Sequence, residues 1–206
     1  MQEQHTSTLR KDALQNQQMI LEAARALFNE KGVAETTMHQ IAKAAGVGQG
    51  TLYRRYAHKG ELCLDLILKL AKKNHDTIIS YLHDHHNEPI GIRLKQTIAY
   101  SLDFIEEQCQ LLSAIKAPSC DDDVTLIYHS PLYQSTHNIF RDLLEEIPRE
   151  ADATPLNTIY VADLLNAAIA PNLFQFQRED RGYSKDEICD NIYTICIQPL
   201  LSQSVE

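Results

Sequence analysis

The side chains of this chain with the most recognisable chemistry lie between Gln49 and Lys59, just after a Gly46-Val47-Gly48 turn. A glutamine amide offers a donor and an acceptor together, which suits a base edge, while Arg54, Arg55 and Lys59 offer cations to phosphate oxygens. Thr51 and Tyr53 add hydroxyls. A short helix from Gln49 to about Tyr56 would place Leu52 and Tyr56 inward, with Gln49, Thr51, Arg54 and Arg55 on the opposite side. Such a helix must be held by another, and the preceding residues supply one. Thr37 with Gln40 three residues on reads as a capping box, Met38, Ile41, Ala42 and Ala45 form an inward stripe, and Gly46 ends the helix. Two short helices joined by a glycine turn make a helix-turn-helix pattern, in which small Ala42 permits close approach and the second helix is offered to a major groove. An ordinary helical hairpin with a solvated polar face has the same spacing, so spacing alone leaves both readings open.

Other chemistries are less well supported. His83, His85 and His86 surround Asp84, with His75 further up the same segment. His83 and His86 could share a metal at i, i+3 spacing, but no second cluster completes a ligand set, so an exposed helix end is the stronger reading and no metal is expected. Five cysteines, Cys63, Cys109, Cys120, Cys189 and Cys196, form no C-x-x-C pair and fit reduced thiols. Cys189 and Cys196, seven apart, read as packing. There is no nucleophile motif, phosphate loop or paired-carboxylate signature, and no cofactor is expected. A helical metal-dependent enzyme built on the histidines and a protein-interaction adaptor using the hairpin stand as the rival classes.

The elements that must carry these residues are helical throughout. With 206 residues, 44% hydrophobic and 23% charged, the chain can bury a core of one or two domains, and only 7 Gly and 7 Pro interrupt it. A first helix is expected from about Leu14 to Glu30, with Ile20, Leu21, Ala24, Leu27 and Phe28 as its stripe, Gly32 as its stop and a mobile arm before it. A fourth, from Lys59 to about His86, is expected to be buried nearly all round in its first half. Further helices are expected near 90–109, 110–117, 131–147, 155–179 and 185–203, with Pro171 kinking or dividing the fourth of these. The Asp121-Asp122-Asp123 run falls in a loop after Pro118. No apolar run spans a membrane and the N-terminus has no signal-peptide core, which predicts a cytoplasmic protein with no membrane partner. The net charge of −9, from 19 basic and 28 acidic residues, taken as a single total argues against nucleic acid. Counted by segment it does not: residues 1–73 carry 11 basic and 7 acidic groups, a balance of +4, and the remainder carries −13.

The stretch from Ile20 to Leu62 resembles the N-terminal DNA-binding region of the TetR family of bacterial transcriptional regulators. The likeness rests on the Ala-Ala and Leu-Phe of the first helix, Gly32, Thr37, Ile41-Ala42, Gly46-Val47, Thr51-Leu52-Tyr53, Tyr56 where Phe is usual, and Lys59 with Leu62. It implies an all-α fold with a three-helix helix-turn-helix DNA-binding domain over residues 1–58. A helical effector-binding and dimerisation domain would follow over residues 59–206. It further implies that His39 and Gln49 face base edges, that Thr51, Tyr53, Arg54, Arg55 and Lys59 grip phosphates, and that Thr37 aims a helix end at one. Departures are Gly48 for the usual Ser cap, His58 and Gly60; Gly48 and Gly50 together predict a recognition helix weakly held when free. Tyr100, Asp103, Phe104, Glu107, Tyr128, Tyr133 and His137 lie where members of the family enclose ligands, and aromatic faces beside carboxylates would suit a cationic or aromatic effector. The implied product is a homodimer, joined through its last two helices, released by a small molecule from a pseudo-palindromic double-stranded operator.

Overall fold

The computed structural model describes residues 2–114, 128–148 and 155–202, and among these every regular element is a helix. Contacts divide the chain into two compact units: Met1–Ile67 with Gln110–Lys116, and Leu68–Cys109 with Ala117–Glu206. The Asp121–Asp123 run, Cys120 and Pro118 lie outside the described residues.

In the first unit, α1 (Gln2–Lys31) begins twelve residues earlier than the expected Leu14, so the N-terminal arm is helix. No glycine or proline occurs before Gly32, and nothing local stops propagation towards the N-terminus. Ile20, Leu21, Ala24 and Phe28 of α1 are buried, as are Ile41 and Ala42 of α2 (Met38–Ala44) and Leu52 of α3 (Gln49–Arg55). The start of α4 (Lys59–Asp84) adds Leu62, Cys63, Leu66 and Ile67. Leu64 is 43% exposed, so this half of α4 is not enclosed all round as expected; it presents one apolar residue to solvent. Burial raises the Cys63 thiol to about 11, which keeps it protonated and unreactive at neutral pH.

The second unit is built on the rest of α4 and on α5 (Ile90–Ala114) as far as Cys109; α5 runs unbroken through the point where two helices were expected. Its sequence there, Cys109-Gln110-Leu111-Leu112, holds no breaker. α6 (Pro131–Glu145) opens at an Ser130 cap and packs along α7 (Thr158–Ala168) through Ile139, Phe140, Leu143, Leu144 and Leu165. Arg93, buried on α5, donates to the Glu88 carbonyl at 3.1 Å and to Glu146 at 2.6 Å, fastening the end of α6. Pro171 divides the 155–179 segment and becomes the first residue of α8 (Pro171–Glu179), where its missing N–H costs nothing. α9 (Lys185–Ile192) starts at a Ser184–Glu187 capping box, continues through a π-helical segment (Tyr193–Ile197), and ends in α10 (Gln198–Ser202). The widened turn has a local cause: Pro199 has no N–H for the Ile195 carbonyl, and the Gln198 N–H bonds Tyr193 five residues back.

Candidate nucleic-acid interface

Helices of seven residues are not stable in water by themselves, so α2 and α3 depend on their ends and on docking. At the start of α2 the Thr37 hydroxyl accepts from the Gln40 N–H at 3.3 Å, and the Gln40 side chain accepts from the Thr37 N–H at 2.8 Å. At its end Gly46 adopts φ +65°, a conformation open to glycine, while Val47 N–H returns to the Ala42 carbonyl at 3.0 Å and Gly46 N–H to Lys43 at 3.2 Å. This pair of bonds satisfies the last carbonyls and fixes the turn angle. Leu52, fully buried, then docks α3. Gly48 caps α3 without any side-chain bond, as the glycine substitution implied.

The outward face of this pair carries the expected residues. Thr37, His39, Gly48, Gln49, Gly50, Tyr53, Arg54 and Arg55 are exposed, and Thr51 is half-buried beside Gly48. Arg54 and Arg55 occupy the last turn of α3, where cations also favour the helix dipole, and the Arg55 guanidinium lies 5.9 Å from the Tyr56 ring centre. His39 and Gln49 meet across the turn: the Gln49 amide nitrogen is hydrogen-bonded to His39 Nδ1.

Lys59 is differently employed from the expected phosphate grip. Its ammonium donates to the carbonyls of Val33 at 2.6 Å, Thr36 at 3.0 Å and Ala34 at 3.1 Å, so all three protons already have acceptors in the α1–α2 connection. It is a strut that holds the connection against α4. Lys59→Met should therefore destabilise the first unit by about 2 kcal/mol, since hydrogen bonds to a charged group contribute more than neutral ones. The salt dependence of DNA binding should be unchanged, which titrations of affinity against salt would check. Lys59→Arg should not restore stability, because a planar guanidinium cannot reach three carbonyls arranged around one point.

A second fastening was not foreseen. The Tyr56 hydroxyl donates to Asp65 on α4, and Gln17 of α1 donates to the same carboxylate oxygen at 2.6 Å. Burial, with the Asp65 bond second, raises the Tyr56 phenol to about 12. Tyr56 in place of the usual Phe was the only sequence signal for it.

The proposed pocket residues separate into groups within the second unit. Tyr128 and Tyr133 meet edge to face at 5.2 Å and Tyr133 stacks near His137 at 6.1 Å. Beneath them lies a carboxylate that sequence reading missed: Tyr133 donates to Asp163 at 2.6 Å, and His137 Nε2 is 3.3 Å from the same oxygen. Burial, then the Asp163 bond, raises the Tyr133 phenol to about 12. Buried Asn166 completes the cluster from α7. Asp103 is not among this group, since Lys185 is bonded to it and lies 3.0 Å from Glu106. Tyr100 packs edge-on against Tyr81 at 5.6 Å, Phe104 is half-buried and Glu107 is exposed. In the histidine-rich end of α4, His85 and His86 bond the carbonyls of Tyr81 and His83, and His83 pairs with Asp84; no metal-ligating group of three forms among the described residues.

Comparison with known proteins decides what this arrangement belongs to. Residues 20–66 match the model of bacterial regulatory proteins of the tetR family. An HTH-type transcriptional regulator of Staphylococcus aureus (strain bovine RF122 / ET3-1) is 31% identical over 176 residues, covering 85% of this chain and 89% of the relative. The corresponding protein of strain USA300 is 32% identical over 180 residues with the same coverage.

The chain belongs to the TetR family.

Solved structures agree on the fold. The fatty acid degradation regulator FadR from Bacillus halodurans superposes with a TM-score of 0.64 at 17% identity, over 88% of this chain and 97% of that one. FadR from Bacillus subtilis, solved with stearoyl-CoA, gives 0.60 at 17% identity over 90% and 98%. TetR-family proteins are DNA-binding transcriptional regulators and not enzymes, which removes the enzyme reading. Among the described residues no helix is long and apolar enough to cross a membrane.

Proposed function

We propose that this TetR-family chain is a dimeric repressor of the cytoplasm, whose residues 1–58 read a pseudo-palindromic operator and whose residues 59–206 dimerise and bind the small-molecule effector. The observation carrying the DNA reading is the exposed row of Gln49, Tyr53, Arg54 and Arg55 on a helix held by the fully buried Leu52. The charge division, +4 before residue 74 and −13 after it, favours an approach to DNA with this end forward.

Gln49 acts on a base edge with His39 facing the same groove beside it, while Thr51, Tyr53, Arg54 and Arg55 hold phosphates with Thr37 at the end of α2. The effector site is the Tyr128, Tyr133, His137 and Asp163 cluster, where aromatic faces next to a carboxylate suit a cationic or aromatic ligand. Stearoyl-CoA, the ligand of the Bacillus subtilis regulator, is the competing probe. Effector binding shifts the uninterrupted α4 and weakens the operator complex.

Arg54→Ala tests the phosphate role. It should weaken binding to every duplex and flatten the salt slope by ~1 per subunit, about 2 for the dimer, as loss of one phosphate contact from each subunit would. Gln49→Ala should relax sequence preference with little change in slope. Equal losses on all sequences for Gln49→Ala, or an unchanged slope for Arg54→Ala, would remove the respective role.

A further inference from the structure

We propose that His39 and Gln49 work as one adenine-reading unit, in which His39 fixes the orientation of the Gln49 amide; this rests on α3 being the helix that reads DNA. His39 is the second residue of α2 and Gln49 the first of α3, and both side chains are exposed. They are joined by a hydrogen bond between the Gln49 amide nitrogen and His39 Nδ1. The helices bearing them are fixed by the Gly46 turn and by buried Met38, Ile41, Ala42 and Leu52, so the backbone positions that carry the two side chains are fixed relative to each other.

An amide nitrogen can only donate, so His39 Nδ1 accepts and the imidazole proton resides on Nε2. In the proposed unit the amide proton engaged is the one anti to the carbonyl, which leaves Gln49 its carbonyl oxygen and the other N–H side by side. That edge complements adenine, whose N7 accepts and whose N6 amino group donates in the major groove. Guanine offers two acceptors there, N7 and O6, and the outward carbonyl of Gln49 would oppose O6. A glutamine without His39 could turn over to present both N–H groups, and would have to be ordered on binding; His39 removes both freedoms in advance.

The test uses the full-length protein and a pool of randomised duplex DNA. Selected sequences should show adenine at one position of each half-site, and this preference should vanish in Gln49→Ala. His39→Ala should lower the preference for A·T over G·C at the same position about tenfold, the effect of freeing one glutamine side chain. The double variant should lose no more than Gln49→Ala alone, and His39→Gln, whose carbonyl can accept the same N–H, should restore most of the preference. Preference unchanged in His39→Ala, altered at a different base pair, or directed to guanine in the wild type would overturn the proposal. If Gln49→Ala instead weakens all duplexes equally, base reading by α3 fails as a whole.

Discussion

Leu164→Asp is expected to turn the protein into monomers and to lower operator affinity about 100-fold, the scale of losing an interface anchor of about 3 kcal/mol. Leu164 is 46% exposed on α7, with Tyr160 one turn before it at 60% and Ile159 beside that at 59%. Leu173 and Phe176 on α8 and Ile195 in the π-helical segment, 71% exposed, extend the apolar surface of the last helices. Leu165, Ile169, Ile188 and Ile192, by contrast, are buried within the unit and serve its own core. A set of this size facing water in one chain calls for a partner, and two-fold symmetry places two introduced carboxylates in the interface, one from each subunit. Because Leu164 is exposed in the single chain, the helical content should not change. Sedimentation would report the monomer and fluorescence anisotropy the lost affinity; a dimer with unaltered operator binding would exclude this face.

Leu52→Ala is the second large effect. Leu52 is fully buried and is the one buried residue within α3, so truncation should cost the first unit about 2–5 kcal/mol. Since a seven-residue helix has little stability of its own, the loss falls on the helix that presents Gln49, Tyr53, Arg54 and Arg55. Affinity should drop on all sequences together, unlike the selective loss in Gln49→Ala. Denaturant unfolding monitored beside DNA binding would check it; full affinity with reduced stability would mean that α3 is held by something other than this docking.

Much of the interface was legible because its determinants are local. The Thr37–Gln40 capping box, the Gly46 stop and the division at Pro171 each depend on residues within one helical turn, and sequence spacing reports such features directly. The family resemblance supplied what spacing could not, the choice between a DNA-reading pair and a plain hairpin. What escaped the sequence is non-local. Lys59 finds its acceptors more than twenty residues back, Gln17 meets Asp65 across 48, Tyr133 meets Asp163 across 30, and Lys185 reaches Asp103 across 82. A periodic pattern shows that a side chain leaves the apolar face, not which polar group receives it. Thus Asp103 looked like a carboxylate open to a ligand and is occupied by a lysine, while Asp163 was passed over within an apolar helix. The long α1 and α5 show the opposite limit: where no glycine or proline intervenes, a helix continues past the point at which its stripe weakens.

The central claim is that the exposed face of α2 and α3 reads duplex DNA, and one measurement addresses it directly: selection of randomised duplexes by the full-length protein at low salt, followed by a salt titration of the winning sequence. Two related half-sites should emerge about one helical turn apart or somewhat more. Affinity should fall with a log–log salt slope of about −4 or steeper, as Arg54 and Arg55 from two subunits require. Failure to retain any duplex at low salt would contradict the account and return the helical pair to the role of a protein-binding hairpin.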